Sequence, residues 1–327
     1  MENKMSNEKL MQTSERKNLS ETMRKEWQKV RKRFHYPQLP QPELVDNIPN
    51  GNINIESLEI TVSKSFIEGF EKHGIGNEEV MNEVLTHELT HFMKFPGGVL
   101  NVLRLQKAAQ GLTDSHKISE LRAAFTEAQT NIYMIQEVKH SATAKMRKAY
   151  GLQEGDSVGR LLYGLYQEVS GQDFGIKLIR EEKSLVEKLN DINFLDKKEE
   201  NSSFRQFVQV MKDYNPPQQK QDKKGKNQGQ ESGEGRNSND PCSGSINGLD
   251  GFTDNQIREG LKQFAQENST PQEYEEIVRQ ILNEDAQRGQ QKVLVKRAGI
   301  GRSTTELSDN FYTALAERYT IPIRKKQ

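Results

Sequence analysis

Two histidines separated by three residues form the part of this chain best suited to chemistry. The segment from His87 to His91 reads His-Glu-Leu-Thr-His. On a helix, residues four apart lie one turn apart on the same face, so that both imidazoles could reach one ion. Neutral imidazole is a good zinc ligand, and the intervening Glu88 could accept a proton from a water molecule that the metal activates. The pattern therefore predicts a metal centre with its own base.

The residues around this motif predict a largely buried helix. Asn77 is the candidate N-cap, and Glu78 and Glu79 suit the positive end of the helix dipole. The segment Pro-Gly-Gly, residues 96–98, is expected to end the helix. Apolar residues recur at helical spacing beside the histidines, at Val80, Met81, Val84, Leu85, Leu89 and Phe92. The alternative is an ordinary core helix with satisfied histidines, but the spacing and the glutamate favour zinc.

A catalytic zinc site uses a third protein ligand besides two histidines. The next helix, predicted over about 116–140, carries the candidates Glu120, Glu127 and His116, and Asp114 lies just before it. Glu120 and Glu127 fall on one stripe of this helix. Their spacing alone therefore does not decide between them.

The pattern upstream of the motif predicts a small sheet. A helix is expected from residue 19 or 20 to about 33, and the prolines at 37, 40 and 42 then enforce an extended segment. Residues 53–62 alternate between apolar and polar and are rich in β-branched side chains, which is typical of one or two strands. We therefore predict an α+β fold, with a few-stranded sheet, the histidine helix and a mostly α-helical second half.

Composition divides the chain into five predicted regions. The polar stretch 1–18 is expected to be a disordered tail, and the low apolar content of 215–248 is typical of a flexible linker. Further helices are predicted near 155–170, 180–195, 202–214, 253–267, 271–288 and 304–318. The regions are thus the tail, a metal-binding core at 19–145, a helical extension at 146–214, the linker, and a helical C-terminal region at 249–327.

Charge and cysteine content narrow the function classes. Lysine and arginine together number 47, as do aspartate and glutamate, so no basic field indicates a nucleic-acid partner. The single cysteine, Cys242, cannot form an intrachain disulfide, which is typical of a reducing compartment. No apolar run has the length of a membrane span, and the first residues lack the apolar core of a signal peptide. We expect a soluble cytoplasmic protein without a membrane partner.

The segment around the two histidines resembles the active-site helix of the zincin metallopeptidases, and the resemblance covers about residues 19–140. Two groups are most similar. The SprT-like group shares the order of helix, proline-rich strand entry and histidine helix, but its third ligand is usually a histidine. In the metallopeptidase domain associated with von Willebrand A-like proteins, an acidic residue four positions before an asparagine follows the histidine helix. Glu127 and Asn131 have that spacing, whereas Glu120 has Ala124 in the matching position. The second group therefore ranks first, although its members typically carry aspartate where this chain has Glu127.

This resemblance implies a site and a reaction. Zn²⁺ would be held by His87, His91 and Glu127, with Glu120 as the alternative ligand, and Asn131 would orient a ligand histidine through a hydrogen bond. Glu88 would act as general base in peptide-bond hydrolysis. The resemblance also implies that the last strand before the histidine helix, residues 59–63, is an edge strand that pairs with substrate. Candidate donors to the oxyanion are Tyr133, Tyr150, Tyr163 and His116.

Two other functions compete with a peptidase acting on a protein or peptide substrate. The chain could be a non-catalytic zinc scaffold for a von Willebrand A-like or ATPase partner, but such a site needs no base. It could also be a SprT-like protease that acts on DNA-bound proteins, which the balanced charge disfavours.

Overall fold

The computed structural model of the chain describes residues 19–35, 38–46, 48, 51–53, 59–139, 142–150, 157–214 and 254–281. The predicted tail at 1–18, linker at 215–248 and helix at 304–318 lie outside these ranges. Within them the protein is mostly helical with one small sheet, which confirms the α+β class.

A three-stranded sheet precedes the histidine helix. Its strands are β1 (Glu43–Val45), β2 (Gly51–Ile53) and β3 (Ile60–Ser63), in the order β1-β3-β2. β3 is parallel to β1 and antiparallel to β2. The prediction that residues 59–63 form an edge strand is therefore wrong. The extended proline-rich segment continues into β1, which pairs with one side of β3.

Helices make up most of the remaining described structure. They are α1 (19–33), α2 (Lys64–Gly69), α3 (Asn77–Met93), α4 (Val99–Ala108), α5 (Ser115–Tyr133), α6 (Ala142–Tyr150), α7 (Ser157–Ser170), α8 (Arg180–Asn190), α9 (Glu200–Met211), α10 (Asp254–Asn268) and α11 (271–281). A 3₁₀ turn, Glu71–His73, precedes α3, and a π-helical turn, Met134–Val138, follows α5. None of these described helices is long and apolar enough to cross a membrane.

The histidine helix α3 begins one residue earlier than predicted. Gly76, and not Asn77, is the N-cap, with an extended backbone (φ −72°, ψ 149°), and the Asn77 side chain donates to Glu71 Oε1 at 2.6 Å. Glu78 and Glu79 occupy the first turn as expected. At the other end, the left-handed conformation of Gly97 (φ 73°) redirects the chain into α4. The predicted stop at residues 96–98 is confirmed.

Apolar side chains form three clusters around α3, α4 and α5. The first joins α1, the sheet, α2 and α3, with Trp27 and Met81 fully buried. The second joins α5 to α7, α8 and α9 around Phe125. The third joins α4 to α10 and α11. Because α3 packs against β2, α5 and α6, its motif lies where the sheet meets the helical half.

Candidate metal centre

His87, His91 and Glu127 each bring one ligand atom to a common point between α3 and α5. The Nε2 atom of His91 lies 3.0 Å from His87 Nε2 and 3.1 Å from Glu127 Oε2. The remaining distance in the cluster, between His87 Nε2 and Glu127 Oε2, is 3.5 Å. Ligand atoms bonded to one tetrahedral zinc lie about 3.3 Å apart. The cluster could therefore bind a metal ion.

The helices position these ligands by simple periodicity. His87 and His91 are one turn apart on α3, and α5 passes beside that turn with Glu127 directed at it. The histidine side chains are 1% and 7% exposed, whereas that of Glu127 is 16% exposed. The centre is thus nearly closed to solvent, and the glutamate lies on its more open side.

The hydrogen bonds of His91 determine which of its nitrogens faces the cluster. Its Nδ1 lies 2.9 Å from the carbonyl oxygen of Phe95 and 3.2 Å from Thr130 Oγ1. A carbonyl oxygen only accepts, so Nδ1 carries the proton and Nε2 keeps a lone pair for a metal. By contrast, His87 Nδ1 is buried without a hydrogen-bond partner among the described residues. The ring of His91 is therefore oriented more firmly than that of His87.

Asn131 orients the carboxylate of the cluster and not a histidine. Its amide donates to Glu127 Oε1 at 2.8 Å and to the Glu127 carbonyl oxygen at 2.9 Å. This differs from the expected bond to a ligand histidine, because residues four apart on α5 face each other while α3 lies across the cluster. Asn131 leaves Glu127 Oε2 directed at His87 and His91.

Arg147 is the residue of the centre that sequence reasoning missed. Its Nη2 donates to Glu127 Oε1 at 2.9 Å and to Asn131 Oδ1 at 3.3 Å, and its guanidinium lies 5.8 Å from the ring centre of Tyr163. The side chain is only 2% exposed. It reaches the cluster from α6, which runs across the predicted boundary at residue 145. Among 47 basic residues nothing in its sequence position distinguishes it.

Glu127 and His91 shift each other's pKa values in this buried centre. Burial by itself raises the pKa of Glu127, but the two histidines outweigh it and hold that pKa well below its usual range. Burial lowers the pKa of His91, and the hydrogen bond and charge of Glu127 reverse this to a net rise. The glutamate is therefore ionised, which is the form that binds a metal.

Glu88 lies beside the cluster with an unused carboxylate oxygen. It is 1% exposed, and its Oε2 has no hydrogen-bond partner among the described residues. Burial raises its pKa, partly opposed by His87 and His91. Strand β2 approaches it at Gly51, where a β-carbon would lie 3.6 Å from Glu88 Oε1 and 2.6 Å from Val84 Cγ1. Gly51 thus lets a strand pass close to the candidate base.

The other ligand candidates lie away from this cluster. Glu120 is at the surface, 3.8 Å from His116 Nδ1 and 3.6 Å from Lys117 Nζ. His116 has a 76% exposed side chain. Asp114 caps α5 by accepting from the Lys117 amide at 2.9 Å. Of the predicted candidates, Glu127 is the one that joins the two histidines.

The candidate oxyanion donors have different surroundings. Tyr163 is buried beside the guanidinium of Arg147, and Tyr133 packs near Phe95, with ring centres 6.1 Å apart. The side chain of Tyr150 lies outside the described residues. The assignment of a donor among them stays a prediction.

No family model, no curated protein and no solved structure matches the chain. Its function is therefore inferred from its own residues.

Proposed function

We propose that the chain is a zinc-dependent metallopeptidase of the zincin type. The observation that carries the proposal is the convergence of His87 Nε2, His91 Nε2 and Glu127 Oε2 within 3.0–3.5 Å of one another. The buried carboxylate of Glu88 follows directly after the first ligand. Ligands and base together suit hydrolysis better than a purely structural site.

The donor set favours zinc over other common ions. Two imidazole nitrogens and one carboxylate oxygen form a set used in catalytic zinc sites, which leave one position open. Calcium and magnesium prefer sets made entirely of oxygen. A structural zinc site would instead close with a fourth protein ligand, and the described cluster contains three.

A cytoplasmic location is also part of the proposal, supported by the absence of a second cysteine.

Each residue of the centre then has a chemical task. When bound, zinc lowers the pKa of water and polarises a carbonyl oxygen. Glu88 accepts the proton of the attacking water and passes it to the leaving amine. Asn131 and Arg147 hold Glu127 Oε1, which keeps Oε2 directed at the ligand cluster.

The sheet suggests how a peptide reaches this centre. β3 is central, so an added strand could pair only at the outer sides of β1 or β2 in the described sheet. β2 is the edge that approaches Glu88, through Gly51. We therefore assign to β2 the substrate pairing that the resemblance implied for residues 59–63.

Replacing Glu88 by glutamine tests the mechanism. The change keeps shape and removes the base, so we expect stoichiometric zinc and a folded protein but peptide cleavage at least about 100-fold slower. Metal analysis and digestion of an unbiased peptide library measure the two quantities on the same preparations.

Glu120→Gln serves as the control because it removes a surface carboxylate from α5 and should cleave at the wild-type rate. Unchanged cleavage by Glu88→Gln would refute the mechanism. Zinc binding without any cleavage by the wild type would instead support the scaffold function.

A further inference from the structure

A cavity of about 420 Å³ opens beside the ligand His91. One side consists of α3, the glycine turn and the start of α4, and the opposite side is the polar face of α10. Its lining includes His91 and Phe92 of α3, Val99 and Leu100 of α4, and Glu259 and Gly260 of α10. Because His91 forms part of the wall, anything that fills the cavity lies next to the metal centre.

The α10 wall is held closely against α4. Gly260 faces the first turn of α4, and a β-carbon there would lie 2.5 Å from Val99 Cγ1. Leu261 and Phe264 of α10 are buried in the third apolar cluster. A helix far along the sequence therefore completes the surroundings of a ligand located on α3.

The chemistry of the cavity favours one kind of occupant. Its lining combines the apolar side chains of Phe92, Val99 and Leu100 with the carboxylate of Glu259 and several side-chain amides. Among the described residues, those that line it include no lysine or arginine. An aliphatic stem with a positively charged end matches both parts of this surface.

We propose that this cavity binds a lysine or arginine side chain of the substrate, close to the bond that is cleaved. The inference rests on the proposed peptidase function, and Glu259 is its specificity-determining residue. The side chain of Glu259 is 57% exposed and already lies 3.1 Å from Lys262 Nζ and 3.6 Å from Arg258 Nε. Its effect on selectivity should therefore be modest, roughly three- to fivefold.

Peptides that differ at one position test the proposal. Sets carrying lysine, leucine or glutamate at each position around the cleaved bond are compared by kcat/KM. We expect lysine to be preferred roughly three- to fivefold at one position, the preference to disappear in Glu259→Gln, and glutamate to become preferred in Glu259→Lys. Glu275→Gln, which removes an equal charge from α11 outside the cavity, should keep the wild-type preference.

A binding measurement separates this inference from the peptidase proposal. The same peptides, labelled with a fluorophore, are titrated into zinc-loaded Glu88→Gln protein and followed by anisotropy. Charge-dependent binding without wild-type cleavage would reject the peptidase and retain the cavity. Cleavage with no lysine preference, or a preference unchanged in Glu259→Lys, would reject the cavity and retain the peptidase. Gly260→Leu, which should push α10 away from α4, is expected to abolish the preference as well.

Discussion

The candidate metal centre and the contact between α4 and α10 each contain an arginine bound to a glutamate, one pair buried and the other exposed. Arg147 donates to Glu127 at 2.9 Å with its side chain 2% exposed. Arg104 donates to Glu267 through two nitrogens, at 3.0 and 2.5 Å, and both side chains are about 40% exposed. By distance alone the second pair looks stronger.

Burial reverses that ranking. An exposed pair exchanges good hydration for a screened attraction and stabilises a protein by about 0–1 kcal/mol. A buried pair contributes little net stability as a unit, but removal of one partner strands a charge and costs about 3–5 kcal/mol. The candidate metal centre should therefore tolerate almost no substitution of its charged residues. The contact between α4 and α10 should tolerate most substitutions of Arg104 and Glu267. Four substitutions test this contrast, from the largest effect to the smallest.

Glu127→Ala should have the largest effect, on zinc binding. It removes one of three converging ligand atoms, and we expect affinity to fall by more than about 100-fold, beyond the loss typical of an outer partner. Competition with a chromogenic chelator measures this. Glu120→Ala is the matched control on the same helix and should bind zinc like the wild type. If the two variants exchanged these outcomes, Glu120 would be the ligand.

Arg147→Met should weaken both folding and metal binding. The change keeps an apolar stem but leaves Glu127 Oε1 without its charged donor, so we expect the free energy of unfolding to fall by about 3–5 kcal/mol. Zinc affinity should fall about 10- to 100-fold because the ligand is less firmly held. Urea unfolding with a chelator present and zinc competition measure the two effects. Wild-type zinc affinity in folded Arg147→Met would limit the residue to a structural role.

Glu182, a second buried carboxylate paired with an arginine, should make the stability of the protein depend on pH. Its side chain is 1% exposed. Burial raises its pKa, but hydrogen bonds from Arg160, the Ile179 amide and Tyr214 outweigh this and hold the pKa below the ordinary 4.5. A lowered folded pKa gives stability that is present above pH 4.5 and lost as pH falls through the folded value.

Glu182→Gln should therefore reduce the free energy of unfolding by about 1–3 kcal/mol at pH 7. The difference from the wild type should shrink as pH falls below 4.5. Urea unfolding of both proteins across this range, in the presence of a chelator, measures it. A difference that does not change with pH would show that the ionised form of Glu182 is unimportant.

Arg104→Ala should have the smallest effect. Loss of an exposed pair should cost at most about 1 kcal/mol, and salt at about 1 M should remove most of the difference from the wild type. A double-mutant cycle with Glu267→Ala isolates the pair. A coupling energy above about 2 kcal/mol would contradict the ranking by burial.

Local periodicity explains what could be predicted from the sequence. His87 and His91 share a helix face because they are four residues apart, and the same spacing joins Glu127 to Asn131 on α5. Helix stops such as the glycine turn at 97 and 98 depend on neighbouring residues only. These features could be predicted without knowing which helices pack together. The choice of Glu127 over Glu120, however, depended on the resemblance to the zincin metallopeptidases.

Contacts between distant segments were decided by the tertiary structure. Arg147 reaches Glu127 from another helix, Gly51 brings β2 against α3, and Gly260 brings α10 to the wall beside His91. The pairing of β1 with β3 likewise made a central strand of a predicted edge. The sequence by itself determined which residues share a helical stripe, because side-chain direction repeats with the backbone. Which stripes face each other depends on the packing of whole elements, and that packing brought the candidate ligands, the residues that hold them and the cavity beside one another.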